Sequence, residues 1–231
     1  MKRNGDGMMS QTIVMPIHNE EKLLLYSLRP LLDLPQYIRI IIVLDRCTDR
    51  SEQIIKWFAR HRQNVKIVHK NAVFKTANPA WDAYLFGSEY ADHFLYWIGA
   101  DIVINPEMFD VRYLSGFTPL KFQYIDYPNH LGFAYFKLLS KLTKHYCCEV
   151  FEKSQLALYD FPREELIGLS RKQNFRLINL SVMHMRKTKN NLREYTQGFN
   201  RRLQKESFVR VVLHSILFWK PYVLIGYLYG R

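Results

Sequence analysis

Cysteine is scarce in this chain: Cys47, Cys147 and Cys148 are the three in 231 residues. Two of them are adjacent and bridge each other only with strain, so no disulfide framework holds the fold and a reducing compartment is the simpler setting. The opening stretch MKRNGDGMMSQ lacks the apolar core of a signal peptide and reads as a flexible lead-in over residues 1–11. There is no internal repeat and no low-complexity segment. With 48% hydrophobic, 15% aromatic and 23% charged residues, the composition excludes a disordered or collagen-like chain. Acidic residues are also in deficit, 21 Asp+Glu against 33 Lys+Arg, which leaves a formal net charge of +12 and suits a polyanionic partner.

What is present is enough chain for one domain with a sizeable core and an appendage. The charge is unevenly placed. From His184 to Arg231 ten basic residues stand against Glu194 and Glu206, so this tail carries +8 of the +12. The first hundred residues alternate short apolar runs with longer helical patterns, the signature of an α/β fold with a mostly parallel sheet. Strands are expected at 12–17, 38–44, 65–69 and 94–98. Asn19 is expected to cap a helix through about residue 33, Asp49 or Ser51 to open a second helix, and a third should cover 79–91. Ligands of such sheets sit beyond the carboxyl ends of the strands, so residues 18–20, 45–49 and Asp101 should line one cleft. Residues 106–160 parse poorly, with a helix-like stretch at 131–142. Residues 164–172 look helical and 175–185 alternate as a strand does.

Several residues carry chemistry in their own right. A carboxylate just beyond a strand, such as Asp45, can accept hydrogen bonds from a base or ribose, or simply solvate a turn. Asp101 ends the fourth strand, where the plain alternative is again a turn residue. His184 lies near the end of an apolar strand, either as a hydrogen-bonded core residue or as a ligand. Glu164 and Glu165 either favour a helix start through its dipole or serve as a base.

Four segments, TIVMPIHNEE (12–21), IIIVLDRCTDRS (40–51), LYWIGADIVINPEMF (95–109) and REELIGLSRKQNFRLINLSVMHMR (163–186), resemble in order and spacing the family 2 glycosyltransferases of GT-A fold. The resemblance spans roughly residues 12–200. It implies that Asp45 contacts the nucleotide and that Pro16, Asn19 and Glu20 border it, although His18 replaces a more usual aromatic. Lys75 is similar to a lysine near the sugar diphosphate, with Phe74 and Thr76 where glycines are normal. Asp101 corresponds to the second aspartate of the D-x-D motif that holds Mg2+ or Mn2+ against the diphosphate, while Gly99 replaces the first. The resemblance makes His184 a further metal or diphosphate ligand, Glu165 or Glu164 the base that activates the acceptor, and Arg171 a residue on the diphosphate and acceptor side.

The implied activity is inverting transfer of a sugar from a nucleotide-diphosphate donor to a lipid-linked or glycan acceptor. The GT-A domain is placed at 12–186. Residues 187–231 read as a basic, then apolar, amphipathic helical appendage. Lys220-Pro221 interrupts its apolar run, which suits an element lying on an anionic membrane surface better than a span. The alternative is a face that closes the core or a homo-oligomer. These features place the protein in the cytoplasm, peripheral on the inner face of the cell membrane. Two other functions stand beside this one: a catalytically weak nucleotide-sugar-binding module, suggested by Gly99, and nucleic-acid binding. The latter is disfavoured because no nucleic-acid module is recognisable.

Overall fold

The structure is a computed structural model of the chain, and it describes residues 10–74, 79–114, 120–126, 146–156, 176–185, 195, 198–199, 201–202, 207–217 and 220–230. The chain divides into two compact units, Met1–Arg186 and Lys187–Arg231.

In the first unit β1 (Gln11–Ile17), β2 (Ile38–Asp45), β3 (Val65–Lys70) and β4 (Phe94–Trp97) alternate with α1 (Leu24–Leu32), α2 (Ser51–Arg60) and α3 (Pro79–Ser88). Then follow β5 (Ile102–Val103), two 3-10 turns at Pro106–Phe109 and Val111–Leu114, β6 (Leu120–Asp126), β7 (Tyr146–Glu152), the short α4 (Lys153–Leu156) and β8 (Arg176–His184). The eight strands among the described residues form one sheet in the order β3-β2-β1-β4-β7-β6-β8-β5. β3, β2, β1 and β4 are mutually parallel, β7 runs antiparallel to both β4 and β6, and β8 is parallel to β6 but antiparallel to β5.

The parallel strands are apolar on both sides because helices cover both faces. Ile13, Met15 and Ile17 of β1 pack with Ile40, Ile42 and Leu44 of β2 against Leu24, Leu28 and Leu31 of α1 and Ile55 and Phe58 of α2. The alternate residues, Val14, Ile41, Val43, Leu95 and Trp97, pack on the other face with Ala83 and Leu85 of α3. Gly87 lets α3 lie against the sheet: a Cβ there would stand 2.5 Å from Val14 Cγ1 and 2.6 Å from Val43 Cγ2. The carboxyl end of α1 is closed by Arg62, which is 2% exposed and donates to the carbonyls of Leu31, Leu32, Leu34 and Pro35. A guanidinium with its planar set of donors is well suited to several orphan helix carbonyls at once.

Asn19 does not cap α1. The helix begins at Leu24 after a turn in which the Leu23 and Leu24 amides donate to the Glu20 carbonyl, and Leu23 at the cap makes no side-chain bond. α2 begins at Ser51, whose amide donates to Asp49 Oδ1 at 3.0 Å. The expected helices at 131–142 and 164–172 lie outside the described residues.

The second unit contains α5 (Phe208–Leu217) and α6 (Pro221–Tyr229), separated at Lys220-Pro221. Among the described residues no helix is long and apolar enough to cross a membrane. Val211 and Val223 are fully buried, whereas Val209, Leu213, Ile216, Leu228 and Tyr229 are exposed. α6 approaches the helical residues Tyr195 and Gly198 backbone to backbone. A Cβ on Gly226 would fall 1.9 Å from the Tyr195 carbonyl oxygen, and one on Gly198 would fall 1.9 Å from that of Val223.

Candidate functional site

The strand order reverses beside β1: β2 and β3 build out on one side, and the chain then returns to place β4 on the other. The crevice beyond the carboxyl ends of β1, β2 and β4 is therefore the binding position this topology creates. His18–Glu20 follow β1, Asp45 ends β2, and Asp101 follows β4.

The loops after β1 and β2 are laced together. Asn19 adopts a left-handed conformation (φ 54°), which its short amide side chain tolerates. Its Oδ1 accepts from the Thr48 amide at 2.7 Å, the Asp49 amide at 3.3 Å and the Thr48 hydroxyl at 3.3 Å. The Glu20 amide donates to Ser51 Oγ at 2.8 Å and the Glu21 amide to Asp49 Oδ2 at 3.0 Å, while the Arg50 amide donates back to Glu21 Oε2 at 3.0 Å. Burial alone would raise the Asp49 carboxyl, but bonds from the Ser51 hydroxyl and the Glu21 and Ser51 amides together hold it below the usual carboxylate value. The His18 ring nitrogen Nδ1 lies 2.6 Å from the Asp45 carbonyl oxygen. The Cys47 thiol donates to the Ile17 carbonyl, and burial pushes its pKa up, so it is a structural rather than a reactive thiol.

Asp45 is 3% exposed. Its Oδ1 is 2.8 Å from Arg46 Nε and 3.3 Å from Lys70 Nζ, and its Oδ2 is 3.2 Å from an Arg46 terminal nitrogen. Lys70 Nζ is also 3.0 Å from Asp82 Oδ2, and that oxygen accepts the Phe74 amide at 2.8 Å. The Lys70 and Asp82 side chains are 2% and 1% exposed. Two carboxylates thus share one buried ammonium, and the exposed Arg46 balances the second charge. Arg46 has φ 51°, an unfavourable conformation for a long side chain and of the kind that gathers at functional positions. Sequence reading missed Arg46, Lys70 and Asp82. The available signal was a lysine closing an apolar strand and an aspartate in the first turn of the otherwise apolar α3.

Asp101 is joined to β8 through its backbone. The Met185 amide donates to the Asp101 carbonyl at 2.8 Å, and Ile102 stands opposite His184 in the β5–β8 register. Asp126, the last residue of β6, is the register partner of His184 on its other side. A Cβ at Gly99 would lie 2.7 Å from Asp101 Oδ1, so the Asp101 carboxylate takes up the space that a side chain at 99 would need. Pro16 sits within β1 opposite Val43. Lys75, Glu164, Glu165 and Arg171 lie outside the described residues, as does the side chain of His184. Among the described residues, no three or more His, Cys, Asp or Glu are grouped as a metal cluster.

A parallel sheet entered at this switch point and extended by antiparallel strands is the GT-A glycosyltransferase architecture, and solved structures share it. S. aureus TarS 1-349 in complex with UDP-GlcNAc matches with TM-score 0.52 at 15% identity over 84% of this chain and 65% of that one. The mannosyltransferase PcManGT from Pyrobaculum calidifontis, in complex with GDP-Man and Mn2+, matches with TM-score 0.58 at 14% identity over 94% and 72%. Glucosyl-3-phosphoglycerate synthase from Mycobacterium tuberculosis, in complex with Mn2+, UDP and phosphoglyceric acid, matches with TM-score 0.50 at 16% identity over 80% and 74%. The chain spans 64% of TarS 1-349 and 40% of the longer TarS structure. No curated protein matches it. Residues 12–110 match the family model "Glycosyl transferase family 2".

Proposed function

We propose that the chain is a family 2 glycosyltransferase that moves a sugar, with inversion, from a nucleotide-diphosphate donor to a lipid-linked or glycan acceptor at the cytoplasmic face of the cell membrane. The observation that carries the donor half is the buried Asp45 carboxylate at the carboxyl edge of β2, held from within by Lys70 and flanked by the laced loops at 18–21 and 45–51. A buried carboxylate in a crevice is an acceptor aimed at the N–H or O–H groups of a base or ribose. Pro16, Asn19 and Glu20 form the wall beside it, and Lys75 and Arg171 serve the diphosphate.

Asp101 and His184 are the residues that would hold a divalent cation. Their chain positions are adjacent across β5 and β8, and a hard carboxylate oxygen with an imidazole suits Mn2+ or Mg2+ when diphosphate oxygens complete the shell. Such a cation neutralises the leaving diphosphate. On the chain's side, Glu165 or Glu164 takes the acceptor hydroxyl proton while the donor's diphosphate departs from the opposite face of the sugar.

The membrane half rests on the tail. Its charge of +8 leads into helices whose Phe208, Val209, Leu213, Ile216 and Tyr229 are at least half exposed, a basic and aromatic-apolar combination suited to anionic lipid headgroups. Calorimetry of the whole chain with UDP and GDP, with and without Mn2+, tests the donor site, and absence of binding would overturn it. Asp101→Ala should abolish sugar transfer with the circular dichroism unchanged. The loss of the first D-x-D aspartate supports a second function, a nucleotide-sugar-binding module. Tight nucleotide binding with zero turnover over a panel of donors would decide for it.

A further inference from the structure

We infer that Lys70 and Asp82 are positioning residues of the donor site: together they hold Asp45 in place and tie it to the chain segment that leads into Lys75. The inference rests on Asp45 being the nucleotide contact. Lys70 ends β3, beside Asp45 in the β2–β3 register, and its ammonium reaches Asp45 Oδ1 from within, while the exposed Arg46 spans both carboxylate oxygens from the other side. That ammonium is almost wholly buried, and both carboxylate contacts are direct, at 3.3 and 3.0 Å. Burying a lysine is costly unless its charge is matched, and here Asp82 supplies a second anion from the opposite helix, α3. Asp82 also accepts the amide of Phe74, the residue before Lys75. One buried ammonium therefore links β2, α3 and the β3–α3 connection. Among the described residues, the ionisable groups facing Asp45 are Arg46 beside it, Lys70 from β3 and, across that lysine, Asp82 from α3, with the His18 ring on its carbonyl.

The arrangement makes a prediction that a merely structural role does not. Without the ammonium, two buried carboxylates repel each other across the space it filled, and Arg46 alone is left to hold Asp45. Lys70→Met should therefore weaken binding of whichever of UDP and GDP the unmodified chain takes by roughly 30-fold. Lys70→Met with Asp82→Asn removes the repulsion and should regain most of the affinity, whereas Asp45→Asn should lose it. Calorimetric titration of the full chain reads all four. Wild-type affinity in Lys70→Met, or a loss that the Asp82→Asn partner does not repair, overturns the positioning role alone. If the unmodified chain binds neither nucleotide, the donor-site reading falls and this role with it.

Discussion

Substituting Gly87 by alanine tests how the sheet, α3 and the donor site are joined. The new methyl carbon would stand 2.5 and 2.6 Å from the terminal carbons of Val14 and Val43, about 1 Å inside the ordinary contact distance. Neither valine has room to yield: both are fully buried, β-branched and set in buried central strands. The helix must move outward instead. Overpacking of this kind costs about 1–3 kcal/mol, and the better helix propensity of alanine returns up to about 1 kcal/mol, so a net loss near 1–2 kcal/mol is expected. For a unit of this size that lowers Tm by about 2–8 °C. α3 also carries Asp82, so moving it should loosen the Lys70 bridge and weaken nucleotide binding. Urea unfolding and nucleotide calorimetry on the same preparation give both quantities. A Gly87→Ala chain as stable as the parent would refute the close seat of α3 on β1 and β2. Lost stability with unchanged nucleotide affinity would refute the mechanical link to the site.

Two further outcomes follow from the loops and the tail. Because the folded Asp49 carboxyl lies below its ordinary value, its bonds stabilise the fold fully above the unfolded carboxylate value of about 4 and are lost as pH falls through the lowered folded value. The stability gap between the parent and Asp49→Asn should therefore be open near neutrality and narrow as pH falls below the ordinary carboxylate value, as read by urea unfolding across that range. In the second unit Gly226→Ala places a carbon 1.9 Å from a backbone oxygen that cannot swing aside, so proteolysis should release the segment after residue 186 far faster than in the parent.

β1 to β4 were legible because each is an apolar run too short for a helix and bounded by turn residues, and the reading of residues 12–98 placed them within a residue or two of where they lie. Asn19 was misread for a physical reason. An asparagine before an apolar helix is usually its cap, but here the side chain is recruited by the next loop, a contact 29 residues away that no local pattern signals. Asp45 and Asp101 could be named because strand ends in this topology are binding positions. Lys70 and Asp82 could not, since a charge on a strand or helix ordinarily marks a solvent-facing side, and only their meeting in space makes them buried partners. The insertion of β7 between β4 and β6 was hidden for the same reason: antiparallel pairing across more than fifty residues leaves no periodic trace.

Gly198 and Gly226 of the second unit invert the usual relation between residue size and tolerance. In the first unit, bulk holds the fold: large apolar side chains interlock, and truncating them leaves holes. Around α6, main chain rests on main chain at Gly198 and Gly226, and many large side chains, among them Ile225, Leu228 and Tyr229, point away from that contact. Helix association through small residues is the solution used where the surroundings are themselves oily and give side chains no reason to turn inward. The tail should accordingly accept wide variation among its biggest residues while permitting almost none at its smallest. Its outward bulk is then free to be selected for whatever it touches rather than for how the unit folds.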